Sequence, residues 1–170
     1  MGYNYKHILL LTLLLVVQAC SVSYKFNGAS INYQTTKSIS IADFPNNAAL
    51  VYPQLSNMLS ETIRDQYVRQ TRLQVLTKGG NLELEGEIVG YELTPMAISA
   101  DSYASETKLT LTVKVSFTNN VAPEESFERT YSAFQVFDAT KLLTDVQEEL
   151  CNTMVTEIAE SIYNDTVARW

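Results

Sequence analysis

The sequence predicts an α+β fold, a two-layer sandwich of a largely antiparallel four-stranded sheet with two helices packed on one face. Three observations carry this expectation. Residues 107–118 alternate apolar and polar side chains almost without fault, as a strand with one buried face does. Residues 55–67 and 144–166 instead space their apolar residues three and four apart, as helices with one buried stripe do. The order strand, helix, three strands, helix then lets a single sheet face cover both stripes.

Each element has its own justification. In KSISIADF, Ile39 and Ile41 lie on one side and Ser38 and Ser40 on the other, a first strand. FPNNAALVYP reads as a connection. In PQLSNMLSETIRDQYVRQ, Leu55, Met58, Leu59, Ile63 and Tyr67 share a helical face, with Pro53 tolerated in the first turn. Gly79-Gly80-Asn81 marks a turn between RLQVLT and the second strand, NLELEGEIVGYELTP. There Leu82, Leu84, Gly86 and Ile88 share one face, and Glu83, Glu85 and Glu87 the other. The third strand, Thr107 to Thr118, alternates Leu109, Leu111, Val113, Val115 and Phe117 with Lys108, Thr110, Thr112, Lys114 and Ser116.

After a turn around residues 121–125, SFERTYSAFQVF supplies the fourth strand. Phe127, Arg129, Tyr131 and Ala133 fall on one parity but Phe134 and Val136 on the other, a switch that suggests a bulge near Ala133. The last helix, Thr144 to Thr166, has Val146, Leu150, Met154, Ile158 and Ile162 in its stripe, flanked by Cys151 and Val155. Thr144 and Gln147 have capping-box spacing, and Asp145, Glu148 and Glu149 complement the positive end of the helix dipole. On this plan the Glu83, Glu85, Glu87 face and the Lys108, Lys114 face point away from the helices, where opposite charges on neighbouring strands could pair.

Ahead of these elements stands a leader. Lys6 and His7 precede an apolar run that ends at Gln18, about half of the roughly 20 residues that a membrane-spanning helix needs. A signal-peptide core of about 7 to 15 residues followed by a small residue fits better, and Ala19 is followed directly by Cys20. The spacing resembles the bacterial lipobox, with Val17 and Ala19 at its apolar and small positions; Gln18 is less usual there than a small residue. The resemblance implies cleavage before Cys20 and acylation of Cys20; an ordinary signal with an incidental cysteine is the alternative. The chain thus divides into a signal peptide (1–19), a lipid-anchored tether (20–36) and one domain (37–170).

Composition narrows the chemistry. The chain has 12 Lys+Arg and 19 Asp+Glu; removal of residues 1–19 takes away Lys6, leaving 11 against 19, a net charge of −8. Such an acidic balance argues against a nucleic-acid partner and against broad adhesion to anionic lipid, so acyl chains should supply membrane attachment. His7 is the only histidine and leaves with the leader, so neither a Ser-His-Asp triad nor a Cys-His pair can form. Cys151 lies in a helical apolar pattern and reads as a small buried hydrophobe. Alternating Glu83, Glu85 and Glu87 read as a solvated strand face, with no calcium-type loop beside them. No cofactor or metal is expected, and no enzymatic activity; a carboxylate-dependent hydrolase is the weakest of the alternatives.

The ordered segments CSVSYKFNGASI, TKSISIADFPNNAALVYPQLS and NLELEGEIVGYELTP, with a terminal helix ending in ARW, resemble the LptE family of outer-membrane lipoproteins of lipopolysaccharide assembly. The resemblance rests on a strand leading into Phe44-Pro45-Asn46-Asn47 and on a Leu-x-Leu-x-Gly-x-Ile-x-x-Tyr strand from Leu82 to Tyr91. It implies a non-enzymatic plug and assembly factor of the LptD β-barrel, through which lipopolysaccharide reaches the cell surface. Family members also touch lipopolysaccharide through basic residues; no motif transfers those residues here, and Lys108 and Lys114 are candidates by exposure alone. The tether has no acidic run after Cys20 of the kind that resembles a surface-export tag, and Ser21 does not resemble an inner-membrane retention residue. The expected location is therefore the outer membrane, lipid-anchored on the periplasmic side. The alternative is a lipoprotein of another outer-membrane assembly or secretion complex.

Overall fold

A computed structural model describes residues 29–96 and 105–169; the leader, Cys20 and the tether as far as residue 28 lie outside the described residues. Its elements are β1 (Ala29–Ser30), β2 (Ser38–Ile41), α1 (Leu55–Gln70), β3 (Gln74–Leu76), β4 (Leu82–Pro95), β5 (Glu106–Asn119), a 3-10 turn (Pro123–Glu125), β6 (Phe127–Asp138), α2 (Leu143–Thr166) and β7 (Ala168–Arg169). The α+β sandwich stands, with both helices against one face. The sheet, however, has five strands in the order β3-β2-β4-β5-β6 and is mixed rather than four-stranded and largely antiparallel. β2 runs parallel to both β3 and β4, while β4, β5 and β6 form an antiparallel meander. The helix α1 is the crossover that returns the chain parallel to β2, as parallel neighbours require. β3 has only three residues, too few for alternation to announce it.

The core lies between the sheet and the two helices. Ile39, Leu84, Ile88, Leu111 and Val113 from the sheet are buried together with Leu55, Leu59, Ile63 and Tyr67 from α1 and Cys151, Met154, Ile158 and Ile162 from α2. Pro53 stands just ahead of the α1 N-cap, Gln54. Gly79 turns the chain between β3 and β4 with φ +72, a left-handed conformation that glycine adopts without steric cost. In the stretch assigned to the tether, Ala29–Ser30 pair antiparallel with Ala168–Arg169 beyond the end of α2.

Two local expectations fail for physical reasons. β5 and β6 pair without a break from Glu106 with Asp138 to Phe117 with Phe127, so there is no bulge near Ala133. The irregularity is in β4, between Ile88 and Gly90, where Val89 is the extra residue. That insertion turns Tyr91 to the side of Ile88, so both face the helices although three positions separate them. The expected capping box is also absent. α2 begins at Leu143 after Leu142, without a side-chain cap, and Thr144 already lies inside it. Gln147 donates from Nε2 to the Tyr91 hydroxyl at 2.8 Å instead of returning to the backbone.

Candidate functional site

The sheet face opposite the helices is open, and its side chains follow from strand alternation. At one end stand Glu83, Glu85 and Glu87 on β4, Lys114 and Ser116 on β5, and Glu128 on β6. Pro45, Glu85, Gly86, Glu87, Lys114, Ser116 and Glu128 line a shallow concavity of about 270 Å³ there. At the other end the Lys108 ammonium lies 5.6 Å from the centroid of the Phe134 ring, a cation–π contact, with Val136 beside it as Lys108's partner across the ladder. Phe134 and Val136 are 58% and 37% exposed, which explains their parity: they are apolar residues on the open face, not core residues displaced by a bulge.

The expected pairing of the acidic stripe with Lys108 and Lys114 is not made. Glu87 lies opposite Lys114 in the ladder, but the ammonium sits 3.4 Å from Glu128 on the other neighbouring strand. The glutamates are held by amides instead: Asn47 Nδ2 donates to Glu87 at 2.6 Å and Asn120 Nδ2 to Glu83 at 2.9 Å. Glu85 has no hydrogen bond or ion pair among the described residues. Sequence reasoning did not assign these asparagines to the glutamates, because they lie in loops outside any periodic pattern. Among the described residues no group of three His, Cys, Asp or Glu is placed to hold a metal ion.

The two stretches that carried the resemblance pack against each other. Phe44 is fully buried with its ring over Gly86, where a Cβ would collide with that ring and with the Lys114 carbonyl. The Ile88 N–H donates to the Pro45 carbonyl, and the Asn47 N–H donates to the Ile88 carbonyl, both at 2.9 Å. Ser60 closes the segment from α1 by donating to the Ser56 carbonyl while accepting the Phe44 N–H. The glycine in the Leu-x-Leu-x-Gly pattern therefore makes room for the phenylalanine of the other segment, and the Ile-x-x-Tyr spacing is the bulge. On the covered side Cys151 is fully buried, 3.4 Å from the Tyr91 hydroxyl, and burial pushes its thiol pKa up. A thiol so placed packs as an apolar residue and is a poor nucleophile.

Fold and surface define a two-layer α+β domain whose accessible chemistry lies on an open, mostly polar sheet face. The LptE family model, Lipopolysaccharide-assembly, matches residues 36–166, and the chain belongs to the LptE family. That family comprises non-enzymatic outer-membrane lipoproteins associated with lipopolysaccharide transport. No curated protein sequence matches the chain significantly. Among solved structures, a Xanthomonas campestris protein is similar at 11% identity and TM-score 0.56, over 79% of this chain and 85% of that one. A neuraminyllactose-binding hemagglutinin homolog described from Helicobacter pylori aligns at 8% identity and TM-score 0.53, over 84% and 88%. A minor lipoprotein of Acinetobacter baumannii aligns at 16% identity and TM-score 0.49, over 78% and 94%. At these identities the likeness to the first two is one of fold alone. No helix among the described residues is long and apolar enough to cross a membrane.

Proposed function

We propose that the protein is held by acyl chains on Cys20 in the inner leaflet of the outer membrane, faces the periplasm, and acts as plug and assembly factor of an LptD-type β-barrel that delivers lipopolysaccharide to the cell surface. The family match over residues 36–166 carries this reading. The open sheet face supports it, since carboxylates, amides and hydroxyls suit a hydrated barrel lumen, which polar side chains line. For lipopolysaccharide, the two candidate cations differ. A phosphate reaching Lys114 would have to displace Glu128, whereas Lys108 has no carboxylate partner among the described residues and lies beside apolar Phe134 and Val136.

The test is affinity recovery of the full-length protein, with Cys20 intact, from detergent-solubilised outer membranes. A wash at about 1 M salt shortens electrostatic reach to about 3 Å, so incidental charged companions leave. Retention of one large barrel of the LptD type is the expected result. Retention of a different complex would establish the alternative, a lipoprotein of another outer-membrane assembly. Digestion of the domain by protease added to intact cells would overturn the periplasmic orientation.

A further inference from the structure

The two edges of the sheet differ. One edge is β3, three residues long; the other is β6, twelve residues long and paired only with β5. The ladder fixes which β6 groups are used. The Ala139 N–H donates to the Ser105 carbonyl at 3.0 Å, continuing the β5–β6 register by one pair. Hydrogen-bonded and non-hydrogen-bonded pairs alternate in antiparallel sheets, so the odd-numbered residues of β6 bond to β5. The even-numbered ones, Glu128, Thr130, Ser132, Phe134 and Val136, point their N–H and C=O groups away from the sheet, and all five residues are exposed. Edges of this length are ordinarily blunted by proline, bulges or lysine. β6 has no proline, bulge or lysine, and its charges, Glu128, Arg129 and Asp138, lie at its ends, so that Thr130 to Phe137 carries none.

We infer that the β6 edge is a strand-addition site that takes an extended segment of a partner protein, with apolar residues opposite Phe134 and Val136 and basic residues opposite the acidic ends of the strand. Strand addition draws its binding from main-chain hydrogen bonds and its choice of sequence from the alternate side chains. At full overlap, charge favours a partner over a second copy of this chain. Antiparallel pairing of two β6 strands at full overlap of their even-numbered positions, 128 to 138, sets Glu128 opposite Asp138 at both ends, a like-charge arrangement that the exposed Lys114–Glu128 ion pair only partly offsets. A segment with lysine or arginine at those places meets the same ends with opposite charge. The site does not depend on which protein supplies the segment.

The experiment places a photo-reactive residue at Thr130, Ser132, Phe134 or Val136, one at a time, in the full-length protein in its own outer membrane. The expected result is adducts to a single polypeptide whose attachment point moves by two residues for each two-residue step along β6. Thr130→Pro removes one outward N–H and no bond to β5, and should lower adducts from Ser132 at least tenfold without lowering Tm. Phe134→Lys, which leaves the backbone intact, should do the same from Ser132 and Val136. Absence of adducts, attachment at scattered points, or adducts to a second copy would each overturn the inference. If stepped adducts form to a protein that is not a barrel, the plug reading falls and the edge site stands; a recovered barrel without adducts means the reverse.

Discussion

On β5, Leu109, Leu111, Val113, Val115 and Phe117 are buried against the helices, while Lys108, Thr110, Thr112, Lys114 and Ser116, interleaved with them, look outward. The covered set meets α1 and α2 side chains at close packing and fixes the register, because a slip of one residue would bring the charged set inward. Among the described residues the outward set makes shallow contacts: the Lys114–Glu128 ion pair, the Lys108–Phe134 cation–π contact and a 3.3 Å hydrogen bond between the Thr112 and Ser132 hydroxyls. Stability and specificity of fold therefore belong to one face, and the other is free to vary with what it meets.

The contrast can be broken from the covered side. Phe44→Ala should cost about 3 to 5 kcal/mol, the usual loss for emptying a fully buried phenylalanine site, read as a lower urea midpoint. Gly86→Ala introduces a Cβ against the Phe44 ring and the Lys114 carbonyl and should cost about 1 to 3 kcal/mol in the same titration. Alkaline pH attacks the same face. Burial raises the phenol pKa values of Tyr67, Tyr91 and Tyr131, so the folded state holds protons that the unfolded chain releases near pH 10. Their contribution is whole below that pH and is lost as pH rises through the folded-state values. Tm measured from pH 8 to 11 should accordingly stay level and then fall, with phenolate absorbance appearing alongside unfolding. On the open side, Glu85→Gln should change stability by less than about 0.5 kcal/mol, as for an exposed residue without partners among the described residues. A larger loss from Glu85→Gln would show that the faces are not independent.

How much was legible divides along the same line. The covered face announced itself: the β5 alternation and the stripes of α1 and α2, Val146 apart, are residues of the core or packed against it. Where apolar residues lie outside the core the reading went astray, since Phe134 and Val136 imitate a parity switch and exposed apolar side chains are common. The true bulge was visible as Ile88 and Tyr91 three apart, but three apart is also helical spacing, and only pairing with Val113 and Leu111 resolves it. The short β3 gains its place from β2, and the missing cap at Thr144 from the buried Tyr91 phenol that engages Gln147. None of these tertiary partners is written locally. The open face was located correctly from alternation, whereas its actual links, Lys114 to Glu128 and Asn47 to Glu87, depend on rotamers and loops.

The position of β2 between β3 and β4 has a consequence for how the chain finds this arrangement. Ile39 pairs with Val75 on one side and with Leu82 on the other, whereas β4, β5 and β6 meet their neighbours through a hairpin-like meander. Contacts between distant parts of the chain form late because closing long loops costs entropy before any contact compensates. The meander is then the natural nucleus, and β2 enters between β4 and β3 only once α1 has brought β3 alongside. Substitutions in β5 should slow refolding, while those at Ile39 should chiefly hasten unfolding.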